Sequence, residues 1–454
     1  MKKEKQIGRN LTEGKLLPTL LCFSLPIILS NLIQQLYSMS DLIIVGKFLG
    51  SLGTVAVSTG GEMADLFLPI ATAFASGGQI YIGQLVGAGN KKQCKETVHT
   101  LITLMMILAM ISTIFIYIFH HQILSFVNCP MEAYTQATYY MMITTLGFPF
   151  LFGYNAICGI LRGMGESKKP LQFILVAVSL NIVMDLLLVV VLQVGVAGSA
   201  IATVIAQIGS CSAAMLYLCR NKATFGFEFH LSTFRIQKIA LKKILMLGIP
   251  QAVKSIFVRC SMLWVNANIN RYGLSYAAVN SVGNKINKFL EVYVQGIDAA
   301  TAAMVAQNLG ARKYERTKRL ILLSLSCCLC IASGCALLAV FCPNEIFRIF
   351  TSDVAVIEMG KVYMRIMILH FYMSAITSTF QALVTGSGFV SLSFFIGILD
   401  GVICRIGFSL LFVNLFHMEA EGYWLGTAFA RTLPGLLCFL YFISNQWKKR
   451  KLLI

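Results

Sequence analysis

Long apolar runs follow one another along nearly all of this 454-residue chain, and they decide what it can fold into. Lipid offers the backbone no hydrogen-bond partners, so only helices and closed barrels can cross it. The runs here are continuous rather than alternating, which excludes a barrel. A crossing helix needs about 20 residues. Read between polar breaks, the runs fall at 16–45, 53–86, 97–119, 133–161, 170–192, 196–219, 241–271, 276–307, 318–341, 354–385, 391–416 and 422–445. Charged residues make up 12% of the chain, about half the share in soluble domains. The first run is too long for the apolar region of a signal peptide and is read as a retained span. The expected fold is an all-α, multi-pass protein of the cell membrane with twelve transmembrane helices.

A net charge of +18 would suggest nucleic acid in a soluble protein. Here the bases sort by loop. They gather around residues 2–15, 91–95, 162–169, 220–243, 312–319 and 448–451, whereas the alternate loops hold only Lys47, Arg271 and Arg348. The positive-inside rule accounts for this pattern, so both termini are expected in the cytoplasm and nucleic acid is not an expected partner. The longest polar loop divides the chain into an N-lobe (1–220), a connecting loop (221–242) and a C-lobe (243–454).

The halves repeat. Leu25-Pro26-Ile27 matches Ile249-Pro250-Gln251, Gln84 to Ala88 matches Gln307 to Ala311, and Gly198 matches Gly422, at offsets of 224, 223 and 224 residues. Six spans returning to the same side make this a parallel repeat, so two pseudo-symmetric six-helix lobes are expected. The repeat also isolates private features. At offset 224 Asp41 faces Val265, and at offset 223 Asn181 and Asp185 face Cys404 and Phe408. Acids at these places are not demanded by the fold.

Gln34, Tyr37 and Asp41 share one helix face by their i, i+3, i+7 spacing. A carboxylate at membrane depth costs roughly 2.5 kcal/mol or more, so it is neutralised, paired or wetted by a cavity. Asn181 and Asp185, four apart, share a face of the fifth run. At about 1.5 Å per residue Asp185 stands some 22 Å from that run's start. Asp41 and Thr203 fall at comparable depth. Such a layer can share a proton or hold a small cation, and its oxygen ligands do not separate H+ from Na+. Asn181 and Thr203 would serve equally as interhelical hydrogen-bonding groups. Glu62 and Asp65 either extend the layer or lie at the interface. C-lobe runs carry bases instead, among them Lys254, Arg259, Lys285, Lys288, Lys361, Arg365, Arg405 and Arg431. Glu291 is expected to pair with Lys288, three residues before it, and Asp298 and Asp400 to pair likewise.

Nothing in the motifs suggests an enzyme or a resident cofactor. The GxxxxGK[ST] and HExxH patterns are missing. Cys327-Cys328-Leu329-Cys330 lies inside an apolar helix, where small residues serve packing rather than a metal or disulfide.

These residues resemble the start and the repeats of a multidrug and toxic compound extrusion (MATE) transporter, and are similar to the DinF-like branch. The resemblance rests on Glu13-Gly14-Lys15, Leu25-Pro26, Asn31-Leu32, Gln35-Leu36-Tyr37 and Asp41 with Ile44-Val45-Gly46. It continues through Asn155 with Gly159-Ile160-Leu161-Arg162-Gly163, Asn181-Ile182-Val183 with Asp185, Ala200-Ile201-Ala202-Thr203 and Gln307-Asn308-Leu309-Gly310-Ala311. It implies a monomeric efflux antiporter in the lipid bilayer, coupled to H+ or Na+ and expelling cationic or amphiphilic small molecules. By motif match Asp41, Asn181, Asp185 and Thr203 would form the coupling-ion site, and Gln34, Tyr37 and Asn155 would line the substrate cavity. The acids that other branches place in the seventh and tenth spans are absent, and Lys254, Arg259, Lys361 and Arg365 stand on those helices. A lipid-linked precursor flippase of similar build, its C-lobe bases holding phosphates, is the competing expectation. A scaffold or receptor that moves nothing is the third.

Overall fold

The computed structural model describes residues 9–126, 129–225, 234–450 and 452–454, with side chains left out at 42, 62–65 and 290. Described in chain order, the helices begin with α1 (Leu16–Gly87), α2 (Lys91–Phe126), α3 (Met131–Leu146), α4 (Phe148–Gly163), α5 (Lys168–Asp185) and α6 (Val196–Arg220). The short α7 (Lys222–Phe225) precedes α8 (Lys238–Ile269), α9 (Leu274–Gly310), α10 (Tyr314–Phe341), α11 (Pro343–Arg348) and α12 (Val354–Ser387). The chain closes with α13 (Val390–Ile398), α14 (Cys404–Leu410), α15 (Ala420–Phe429), α16 (Thr432–Ile443) and α17 (Gln446–Lys449).

The fold is a twelve-span, two-lobed helical membrane protein. Ten helical segments among the described residues are long and apolar enough to cross, and the bent pair α3–α4 makes an eleventh. The twelfth is α12, whose 34 residues are long enough but carry Glu358, Lys361 and Arg365. Its ends are defined by chemistry. Asp353 caps the first turn by accepting from the backbone N–H of Ala355 at 2.9 Å, and Gly388 closes the last turn at φ 73°.

Two departures from the sequence reading have local causes. The first two runs form one long α1, broken at Gly50, whose φ of 67° and ψ of −163° lie where only glycine sits without strain. The run at 133–161 is not straight: α3 and α4 meet at 46° across Gly147. Pro149 in the first turn of α4 lacks the N–H that a continuous ladder would use, so the helix restarts there.

The chain forms two compact units. One spans Leu29–Gly248 with the described residues before Leu11, and the other spans Ile249–Ile454 with Leu11–Ile28. This differs from a cut at 220 and 243, because α1 and α8 each begin in one unit and continue in the other. Each crossing falls within two residues of the matched prolines Pro26 and Pro250.

In the first unit α4 lies on α1 through glycines. A Cβ at Gly159 would meet the Ala75 carbonyl oxygen at 2.5 Å, and one at Gly163 would meet that of Gln79 at 2.7 Å. The Gly159–Gly163 motif is therefore a close-packing surface. In the second unit the segment before α1 is tied down by α9 and α10. Leu11 N–H donates to Gln307 Oε1 at 3.3 Å, Asn308 Nδ2 donates to the Leu11 carbonyl at 3.2 Å, and Arg316 reaches the carbonyls of Glu13 and Gly14, both at 2.7 Å. Leu11, Leu20, Phe23 and Ile27 then join the apolar core with Met304, Phe380 and Trp447. The Gln307–Asn308 motif is thus an anchor for backbone.

Gly159→Val should lower the melting temperature in detergent by the equivalent of about 1–3 kcal/mol, the usual penalty of overpacking. Gly334→Ala, where an added Cβ meets nothing within 4 Å, should lower it not at all. Equal losses would contradict the packing account. Asn308→Ala should free the segment before α1, and limited proteolysis should cut there faster than in the parent.

Candidate functional site

Three elements of the first unit converge on Asp41. Its own helix presents Tyr37 one turn earlier. The end of α5 supplies Asn181 and Asp185, and the first two turns of α6 supply Ser199 and Thr203. Directly after Asp185 the helix widens into a π turn, Leu186–Val191. Such turns break the regular ladder and recur at functional positions. Gly195, at φ 75°, then reverses the chain so that α6 starts beside α5.

Ser199 Oγ donates to Asp41 Oδ1 at 2.9 Å. The carboxyls of Asp41 and Asp185 face one another within hydrogen-bonding reach. Two ionised carboxylates are both acceptors, so this contact becomes a hydrogen bond only when one carries a proton. Burial is severe: Asp41 is 8% exposed, Asn181 1% and Asp185 0%. Tyr37 and the buried Tyr140 of α3 converge on Thr203 beside the acids.

Five polar atoms here have no well-formed partner: Asn181 Nδ2 and Oδ1, both Asp185 oxygens, and Thr203 Oγ1. An orphaned buried polar atom typically costs about 1–3 kcal/mol, and folded proteins rarely leave even one. Five in one place mark a site built for something mobile. Its donor set is hard oxygen plus one amide, suited to protons, water or a small hard cation.

The expected positions are distributed as follows. Asp41 and Asp185 meet, Thr203 stands against Tyr37 and Tyr140, and Asn181 sits one turn from Asp185 on the same buried face. Gln34 is exposed. Asn155 is buried on α4, and its Nδ2 donates one turn back to the Leu151 carbonyl at 2.8 Å. The side chains of Glu62 and Asp65 lie outside the described residues. Ser199 and Tyr140 were not expected. Ser199 is four before Thr203 and so shares its face, a signal that spacing alone held, whereas nothing in the sequence separates Tyr140 from other aromatic residues of its run.

The second unit lacks this cluster. A π turn at Leu411–Leu415 repeats the one after Asp185, but an additional π turn at Leu399–Ile403 has no counterpart in the first half. It accommodates one extra residue, so beyond it the register returns to offset 224. Asn181 and Asp185 therefore correspond to Arg405 and Ser409, not to Cys404 and Phe408. Val265, opposite Asp41, is 3% exposed in an apolar core.

Charges in the second unit pair over long sequence distances. Glu291 accepts from Arg431 Nη1 at 3.1 Å and bonds His370 Nε2 at 2.7 Å, rather than pairing with Lys288. Residues three apart on a helix touch only if both point along its surface, and Glu291 turns toward α12 and the Arg431 linker instead. Asp400 lies 3.6 Å from Lys254 and 3.4 Å from Arg405. Asp298 has no ion pair among the described residues.

A family model described as MatE matches residues 26–187 and again 250–411. Both segments are displaced by the same 224 residues as the prolines. A Bacillus subtilis protein named "Probable multidrug resistance protein YoeA" is 26% identical over 95% of this chain and 94% of its own. A crystal structure described as MATE in complex with MaD3S superposes with a TM-score of 0.90 at 21% identity, over 97% of this chain and 99% of that one. A transporter of the MOP superfamily from Pyrococcus furiosus, described as having a binding pocket of reverse polarity, gives the same TM-score at 21% identity, over 98% and 100%.

Asp185→Asn places an amide donor against Asp41 where two acceptors now meet. The variant should melt higher than the parent at pH 8. The gain should vanish in acid, where a shared proton already makes the bond. A variant that melts lower at pH 8 would contradict this arrangement.

Proposed function

The chain belongs to the MatE family of multi-pass membrane transporters, and on that premise we propose that it is a secondary antiporter. It takes up H+ or Na+ and expels cationic or amphiphilic small molecules across the cell membrane as a monomer, with both termini in the cytoplasm. The observation that carries this reading is the sealed Asp41–Asp185 pair with its five orphaned atoms in the first unit alone. A proton or cation satisfies those atoms and removes the like-charge contact. Substrate arrival, conversely, favours its release. Asp41, Asn181, Asp185 and Thr203 hold the coupling ion, Ser199 fixes the Asp41 carboxylate, and Gln34, Tyr37 and Asn155 face the substrate. Multidrug resistance appears in the names of relatives and supports the substrate class.

The competing flippase needs free bases to hold phosphate. Lys254, Arg405 and Arg431 are engaged with Asp400 and Glu291, and Lys361 pairs with Glu358 at 2.7 Å. That pairing favours the antiporter.

In proteoliposomes with an imposed pH or Na+ gradient, Asp41→Asn should lose at least tenfold in gradient-driven transport of a fluorescent cationic dye, about 1.4 kcal/mol or more of coupling. Parental transport by this variant would end the proposal. In detergent, substrate should evoke proton release from the parent and not from the variant, and Na+ should suppress that release only if it competes for the same oxygens.

A further inference from the structure

The paired charges of the second unit surround a cavity of about 300 Å³ lined by Lys254, Glu291, Asp298, Gln381, Asp400 and Arg431 among others. Three features set it apart from a set of structural ion pairs. Its acids are private to this half: at offset 224, Glu291, Asp298 and Asp400 fall on Phe67, Phe74 and Val176. The first half therefore packs the same places without charge. Replacing buried ion pairs by apolar residues commonly leaves a fold as stable or more so, so packing gives no reason to keep them here.

The second feature is an uneven distribution of partners. Asp400 holds two bases, Lys254 and Arg405, and Glu291 holds Arg431 with His370. Asp298 has no ion pair among the described residues and is half-buried on the cavity wall. Lys254 and Arg431 keep 23% and 21% of their side-chain surface accessible. Lys254 also donates to Gln381 Oε1 at 2.8 Å, which leaves it a third donor. The cavity thus offers one unmatched carboxylate and two bases with donors to spare.

The third feature is a polar seam leading away from the cavity. Asn280, Asn284, Asn287, Glu291 and Asp298 share one face of α9 by their spacing. Asn280 and Asn284 both donate to Asn266 Oδ1, at 2.8 and 3.3 Å, and Asn287 donates to the Tyr363 hydroxyl at 2.6 Å.

We infer that this cavity is a binding site for a compact zwitterion of the amino-acid class, its ammonium on Asp298 and its carboxylate on Lys254 and Arg431. A bare organic cation would be repelled by the two bases, and a bare anion by Asp298. A zwitterion meets both, and about 300 Å³ is at the small end of ligand cavities. The inference is independent of ion coupling in the first unit.

The test is equilibrium binding of radiolabelled L-alanine and L-glutamine to the purified full chain in detergent, against methylammonium and acetate as single-charge probes. At least one amino acid should saturate a single site, with both single-charge probes at least tenfold weaker. Asp298→Asn should weaken the amino acid at least tenfold. Gln295→Trp, at an exposed lining position outside every ion pair described, should abolish binding by filling the space, and it decides the matter if the first variant does not fold. Asp41→Asn should bind as the parent does, which separates this site from the antiport reading. No saturable amino-acid binding, binding unchanged in both cavity variants, or equal binding of methylammonium or acetate would overturn the inference.

Discussion

A carboxylate removed from water must be given another partner, and much of this molecule follows from how it meets that demand. The lipid-facing surface needs only apolar side chains and intact backbone ladders. The interior holds acids in both units, and each unit answers differently. In the first, Asp41 and Asp185 face each other with a single serine hydroxyl in support, an arrangement that is complete only when something mobile joins it. In the second, Glu291 and Asp400 are each matched by bases from distant helices. One half holds its charge in an exchangeable form and the other in a fixed one, although both are built on the same repeat.

The elements that carry these side chains are shaped for them. The π turn after Asp185 and the glycine at 195 let α5 and α6 lie close enough for Ser199 to reach Asp41. Glycines 159 and 163 bring α4 onto α1 at backbone contact. The start of the chain is held by Gln307, Asn308 and Arg316 through its carbonyls and one N–H. Polar residues in this protein therefore divide into those that hold backbone, with every bond made, and those left incomplete around Asp41.

The sequence made much of this legible, for identifiable reasons. Apolar run length and loop charge are additive along the chain, so the spans could be counted without any tertiary knowledge. Asp41, Asn181 and Asp185 stood out because helical spacing and the repeat both depend on short-range order. The pairing of Glu291 with Arg431 was out of reach: 140 residues separate them, and nothing local prefers that base to Lys288. Ser199 was hidden by its ordinariness in a helix of small residues. The bend at Gly147 followed from a proline that could equally have been tolerated, and the crossing of α1 and α8 between units is a property of packing alone.

The unmatched wide turn at Leu399–Ile403 has a consequence of its own. Lengthening a helix by one residue normally swings everything beyond it through about 100°, scrambling whatever that surface touched. Here the swing is absorbed within five residues, and the helix on either side keeps its old bearings. Asp400 rides on the absorbed segment and Arg405 follows directly after it. A single-codon slip is thus enough to re-aim charge inside a transmembrane bundle while leaving its scaffold intact, which is how two copies of one ancestral half can come to hold opposite electrical character.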